Sequence, residues 1–391
     1  MFRSFSEPFL VLVHAQQALF FIFSPRFGQL ARTNKPPLAM SSSKKLPSVR
    51  CYTIGWIAAR EHELVAATAM FDGDEHDFPD DFARHPRDTN QYFLGRIGRH
   101  NIIITSVPAG EEGTTPAAVT ASNLRSSFPH LRIGLMVGTG AGLPRVSNKK
   151  VLRKYDIRLG DVVISQPRGI SSGVITYDLG KLKGDNFERV GFLAAPPEVL
   201  RGALGNLAVN HGIRGSGVPE ILRQMVEKHP KLGSYNPETG NRGFVYQGEQ
   251  NDRLFDASSP HVDASDLEDD TKRSCSHCEE KLEILRNPRP SNAPRFHYGI
   301  IGSGNSITPD AILRCLSEDC LCLDMESAGV MNQFPCLVIR GICDYADSHK
   351  NDRWQSYAAA TAAAFAKELL QTLQYHEMEV ERSIREVLGD S

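Results

Sequence analysis

From Val49 onward, short apolar runs rich in β-branched residues alternate with stretches of helical periodicity, and that alternation confines the chain to a layered α/β architecture. The pattern predicts strands at 51–57, 101–106, 132–137, 161–165, 298–303, 322–325 and 336–343. Helices are expected at 62–70, 114–127, 197–210, 219–228, 310–315, 326–332 and 354–374. Between about 229 and 295 the periodicity gives way to Pro, Gly, Asn and acidic residues such as Asp263, Asp266 and Asp269. This stretch reads as a long irregular insertion rather than a second core. The expected fold is a single α/β domain over 48–375, with a central mixed β-sheet flanked by helices and a ligand at the strand ends.

The flanks read differently. In 1–47 the apolar runs 9–13 and 18–23 are interrupted by His14, Gln16 and Gln17, which is too broken for a membrane span. That segment is expected to be a disordered or targeting extension, with Met40 as an alternative start. At the other end, 376–391 reads as a C-terminal helical extension in which the alanine-rich last helix runs on through 377–388. A formal net charge of −2 on 391 residues gives no general attraction to nucleic acid or to an acidic membrane, so neither is an expected partner. The eight cysteines mostly sit in apolar contexts, as reduced buried thiols do, and this suggests a cytoplasmic protein.

Three carboxylates stand near the ends of apolar runs: Glu63, Glu326 and Asp344. Singly, each has a plain explanation. Glu63 would compensate a helix dipole and Asp344 would cap a loop. Glu326, between Met325 and a run of small residues, must be paired or partly wet. Arg340 inside an apolar strand is costly without a partner, which predicts a salt bridge that fixes a site. Three glycine-bearing turns are also expected. The one at 137–144 has GxGxG spacing, not the GxGxxG of a dinucleotide fold. The one at 108–115 precedes a helix and suits either an anion or simple capping, and the third spans 302–306.

The segments Gly55 to Glu63, Gly138-Thr139-Gly140-Ala141-Gly142, Gly302-Ser303-Gly304-Asn305, Asp324-Met325-Glu326-Ser327-Ala328 and Arg340-Gly341-Ile342-Cys343-Asp344-Tyr345-Ala346-Asp347 occur in a telling order. It is the order seen in the nucleoside phosphorylase and nucleosidase superfamily, which the chain resembles from about Val49 to Leu370, excluding the irregular insertion. It is most similar to the fungal branch found at the N-terminus of NACHT or ankyrin-repeat immune-type proteins, and its motifs resemble those of methylthioadenosine/adenosylhomocysteine nucleosidases. The resemblance implies cleavage of a purine N-glycosidic bond, with Asp344 protonating the imidazole ring of the base and Glu63 deprotonating the attacking water. It implies that Glu326 accepts the ribose hydroxyls and that Met325 packs on the sugar. Thr139, Gly140, Ser303, Asn305 and Arg340 would complete the substrate site, with Ile307 where relatives carry an aromatic ring against the base.

Relatives that use phosphate place an Arg three residues before the Ser or Thr of the glycine segment; here that residue is Met136. Nor does 58–63 carry their Gly-Asp-Pro pattern, so hydrolysis of an adenine-type nucleoside, adenosine or ATP, is the expected reaction. Arg60 keeps phosphorolysis open. Glu61, a second charge beside Glu63, keeps open a catalytically weak nucleoside-sensing domain. Arg84, Arg87 and Arg96 are the candidate contacts for a triphosphate. The resemblance also implies a homo-oligomer and no cofactor. Cys275 and Cys278 form a lone CxxC, with His277 inside it and His261 outside. Two ligands are half of a zinc site, so the pair is expected to be free thiols, with structural zinc as the alternative.

Overall fold

The computed structural model describes residues 45–389, apart from 149, 184–185, 236–241, 257–258, 263–274, 276 and 351. All but the last three residues of the expected N-terminal extension, 1–47, lie outside this set. In chain order the elements begin β1 (Tyr52–Ala58), α1 (Glu61–Ala69), β2 (Phe93–Ile97), β3 (His100–Ser106), α2 (Thr114–Ser127) and β4 (Ile133–Gly142). They continue β5 (Val146–Ser147), β6 (Lys150–Val151), β7 (Val162–Ser165), β8 (Val174–Thr176), β9 (Gly180–Lys183), β10 (Asn186–Arg189), α3 (Glu198–Arg214) and α4 (Val218–Lys228). After the insertion come β11 (Phe296–Ser303), α5 (Pro309–Ser317), β12 (Cys320–Asp324), α6 (Ser327–Met331), β13 (Cys336–Asp344), α7 (Gln355–Thr372), α8 (Tyr375–Val380) and α9 (Ile384–Leu388).

Strands such as β13, buried along its whole length, are apolar on both faces because helices cover both sides of the sheet. Residues of α1, α3, α4 and α7 pack into one core layer, and those of α2 and α6 into the other. The mixed sheet runs β12-β11-β7-β13-β4-β1-β3-β2, with β8 added beside β11. Its ends do not stay apart. β12 also pairs antiparallel with β4, Cys322 against Gly142, so that β4, β13, β7, β11 and β12 close into a ring. The alanine-rich α7 lies close on β13, where the Ala358 carbonyl occupies the space a Cβ on Gly341 would need.

Two expectations change. The glycine run at 138–142 is not a turn: it continues β4 in extended conformation, paired residue by residue with β13 from Arg340–Gly138 to Ile342–Gly140. Nor does the last helix run on. Leu373 leaves it in an extended conformation, and Glu377 and Glu386 each accept the backbone N–H three residues earlier, restarting α8 and α9 as separate short helices. These pack back on the domain through buried Met378 and Ile384, with Ile384 N donating to Leu131 O at 2.7 Å.

The described parts of the insertion hold short 3₁₀ turns and one antiparallel bridge, Phe255 to Glu283, yet they are anchored. Asp161, ahead of β7, accepts from Arg289 at 2.6 and 2.7 Å and lies 2.9 Å from the His297 ring nitrogen. Burial opposes its charge, but the hydrogen bonds from Arg289 and His297 win and hold the carboxyl at about 2. A second clamp joins Arg286, Asp252 and Tyr345, the residue that follows β13. Among the described residues no helix is long and apolar enough to cross a membrane.

Candidate active site

Glu63 lies in the first turn of α1 with only 4% of its surface exposed. Its Oε2 accepts from the backbone N–H of Ala59 at 2.7 Å and of Arg60 at 3.2 Å, which caps the helix. Its Oε1 reaches across to β4 and accepts from Thr139 N at 2.7 Å and Thr139 Oγ1 at 3.0 Å. These four bonds fill the four lone-pair sites of the carboxylate. A water could be held only by displacing one, and the hydroxyl of Thr139 is the partner free to rotate away. Gly138 makes this approach available. A Cβ there would sit 2.5 Å from both Glu63 Oε2 and Arg340 Nη1, so those two atoms lie within about 5 Å of each other.

Arg340 is fully buried in β13 and gains the partner its sequence context demanded. Its Nε donates to Asp324 Oδ2 at 2.8 Å and its Nη2 to Ser327 Oγ at 3.0 Å, with Glu326 Oε2 3.6 Å from Nη2. Burial is the largest influence on Glu326. Together with the neighbouring Asp324 and Glu63 carboxylates it outweighs the pull of Arg340 and pushes the Glu326 carboxyl up to about 7. Met325 beside it is half-buried. Ser303, at the end of β11, is buried and accepts from Ala328 N at 2.9 Å, fixing the start of α6.

Asp344 ends β13, buried, with Oδ1 accepting from Ala346 N at 3.0 Å and Lys350 Nζ 3.8 Å from Oδ2. Burial and this carboxylate keep the neighbouring Cys343 thiol protonated, and it donates to Asp344 Oδ2 at 3.4 Å. The same thiol lies 3.6 Å from the carbonyl of Gly140, the residue that follows Thr139 in β4. Asp344 and Cys343 are thus joined through the adjacent β4 residues Gly140 and Thr139 to Glu63. Asp344 borders a cavity of about 330 Å³, walled also by Leu159, Gln250, Arg253 and Tyr345. Glu63 and Glu326 are not among its lining residues.

Other sequence candidates sit apart or are already engaged. Asn305 Oδ1 accepts from Thr114 N and Oγ1, both at 3.0 Å, so the N-terminus of α2 is capped by a side chain from the 302–306 turn. Ile307 is 37% exposed. Arg60 Nη2 pairs with Glu112 at 2.6 Å. Arg84 donates to the Asn90 carbonyl and lies over the Tyr92 ring, while Arg96 Nε donates to Gly98 O at 2.7 Å, so both are spent on local structure. Sequence reasoning passed over Asp324, Ser327 and Cys343. A buried arginine calls for a buried carboxylate, and Asp324 stood in the same motif as Glu326.

In fold, the chain is similar to several solved nucleosidase structures. It is similar to futalosine hydrolase of Helicobacter pylori at 16% identity, with 83% of this chain and 100% of that chain covered and a TM-score of 0.47. It is also similar to 5'-methylthioadenosine/S-adenosylhomocysteine nucleosidase of Neisseria meningitidis (14% identity, 82% and 99% covered, TM-score 0.47) and to that of S. pneumoniae (16%, 82% and 100%, TM-score 0.46). By sequence it is 38% identical over 325 residues to a nucleotide-binding leucine-rich repeat (NLR)-like protein of Hyaloscypha variabilis. That match covers 82% of this chain and 29% of the relative, so the chain spans less than a third of that protein. No protein-family model matches the chain.

Proposed function

We propose that this chain is a purine nucleosidase that hydrolyses the N-glycosidic bond of an adenine-type nucleoside, adenosine or ATP, to free base and the sugar or its phosphate. The observation that carries this reading is the path of contacts from Glu63 through Thr139, Gly140 and Cys343 to Asp344, with Arg340 beside Glu63 and Glu326 beside Arg340. Glycosidic cleavage builds positive charge on the ribose and negative charge on the departing base. Glu63 and Glu326 supply negative groups at one end and Asp344 a carboxyl at the other. In this reading water takes the place of the Thr139 hydroxyl on Glu63 Oε1, and Glu63 accepts its proton as the oxygen attacks the anomeric carbon. Glu326 accepts the ribose hydroxyls, Met325 packs on the sugar, and Asp344 hydrogen-bonds the imidazole nitrogen of the base in the cavity it borders. Arg340 orients the two glutamates, while Ser303, Asn305 and Gly140 shape the walls.

Hydrolysis is favoured over phosphorolysis by two observations. Met136 is buried in the sheet where a phosphate-holding Arg would stand, and Arg60 is already paired with Glu112. A second reading, a catalytically weak nucleoside-sensing domain, draws on the NLR-like relative and on the fully occupied lone pairs of Glu63. Purified protein incubated with adenosine, inosine, guanosine or ATP, with and without phosphate, and analysed by chromatography separates these outcomes. Free adenine without added phosphate is expected. Product only with phosphate overturns hydrolysis, and binding without turnover supports the sensor. Asp344→Asn is expected to lower kcat by at least about 10²-fold, since general-acid help is worth 10²–10⁴; full activity in that variant removes Asp344 from the mechanism.

A further inference from the structure

The insertion brings a second group of reactive side chains to the wall of the Asp344 cavity. Cys275 and Cys278 are both buried, and His261 Nδ1 lies 3.3 Å from Cys278 Sγ and 3.9 Å from Cys275 Sγ. His349, from the loop that follows β13, completes the group: the ligand atoms of His261, Cys278 and His349 all lie within 4.8 Å of one another. Cys275 Sγ is 4.0 Å from the His349 carbonyl. Tetrahedral zinc with Zn–S of about 2.3 Å and Zn–N of about 2.0–2.1 Å sets neighbouring sulfur and nitrogen atoms about 3.6 Å apart, between the two spacings of His261.

We propose that Cys275, Cys278, His261 and His349 hold a structural zinc ion that ties the insertion to the loop that follows Asp344. Simple packing of two thiols would recruit apolar neighbours, yet among the described residues Phe255 is their one companion in the buried apolar cluster, and two imidazoles face them instead. The surroundings suit ligands held in place. The Phe255 ring stacks on His349 at 4.1 Å and 12°, and Asp347 Oδ2 lies 3.6 Å from His349 Nδ1, as a carboxylate that orients a ligating imidazole does. His261 N donates to Ser348 Oγ at 3.0 Å, joining the two segments a second time. On binding, each thiol releases one proton. The two thiolates then cancel the charge of Zn²⁺, and the two histidines donate neutral nitrogen lone pairs. Four protein ligands leave no open coordination position, so the ion is structural rather than catalytic. His277, exposed within the CxxC, takes no part. This reverses the expectation of free thiols and stands whether or not the cavity binds a nucleoside.

The test is metal content of the full chain, purified under reducing conditions from zinc-supplemented cells. About one zinc per chain is expected, falling to near zero in a Cys275→Ser/Cys278→Ser variant and unchanged in His277→Ala. Because the double variant could misfold, the wild-type chain stripped by chelator is also titrated with Co²⁺. Thiolate-to-cobalt charge-transfer absorption and intense tetrahedral d–d bands are expected, both displaced by zinc, with weakened and shifted bands in His349→Ala. Wild-type protein that carries no zinc and gives no thiolate–cobalt band overturns the proposal. So does a double-cysteine variant that keeps stoichiometric zinc.

Discussion

Glu326→Gln removes a charge while keeping the side chain's size, and the structure fixes how its effect must vary with pH. The carboxyl is raised from an ordinary 4.5 to about 7 because burial and the Asp324 and Glu63 carboxylates disfavour its ionisation. A carboxyl raised in the folded state supports the fold fully below the unfolded value, near 4.5, and that support is lost as pH rises through 7. Charging it between pH 5 and 8 therefore costs the wild-type fold about 2–3 kcal/mol, a cost the glutamine variant does not bear. Urea unfolding of both proteins at half-unit steps from pH 5 to 8 measures this directly. The quantity read is the change in their stability difference with pH, which cancels any fixed penalty from repacking around Arg340. The difference should move toward the variant by about 2–3 kcal/mol over that range. A pH-independent difference would refute the account of Glu326. If the same carboxylate accepts the ribose hydroxyls, nucleoside binding to the wild type should also tighten as pH rises through about 7, a dependence the variant lacks.

Gly138→Ala puts a methyl group 2.5 Å from Glu63 Oε2 and Arg340 Nη1. The displaced carboxylate should cost at least about tenfold in kcat and about 1–3 kcal/mol of stability, read by steady-state kinetics and urea melts; a fully active variant would show that the approach of Glu63 to β4 is dispensable. Asp161→Asn strips Arg289 and His297 of their buried counter-charge and should destabilise the fold by about 3–5 kcal/mol at neutral pH. Because the Asp161 carboxyl is depressed to about 2, that support is present above its ordinary value near 4 and fades as acid is added toward 2. An unfolding curve whose gap between wild type and variant stays constant down to pH 2 would contradict the pairing.

The layered α/β fold with a central mixed sheet was legible because buried strands such as β13 and β4 read as largely apolar runs that alternate with helical stretches. What escaped was set by partners remote in sequence. The glycines of 138–142 read as a turn because glycine is the usual residue of turns, whereas here their missing Cβ atoms admit a carboxylate and a guanidinium against an extended strand. The helix at the C-terminus was overrun because its capping boxes, Gln374 with Glu377 and Ser383 with Glu386, lie inside an otherwise helix-favouring composition. β2 and β8 are short and carry glycine or polar neighbours, so no window of alternation announced them. In the candidate site, Glu63, Glu326, Arg340 and Asp344 could each be named from local context, but their mutual positions depend on which strands are neighbours. His349 was invisible as a companion of the CxxC for the same reason: the loop that carries it is separated from the cysteines by three strands and two helices of sequence.

The closure of the strand ring through β12 and β4 has a further bearing on Glu63, Thr139 and Asp344. A strand bonded on one side can shift register by a residue and exchange its two faces, whereas β4 is gripped by β13 along one margin and by β12 and β1 along the other. Slippage would have to break all three ladders together. The spacing between the helix that offers Glu63 and the strand that offers Asp344 is thus guarded by topology, and substitutions in the surrounding loops can accumulate without detuning it.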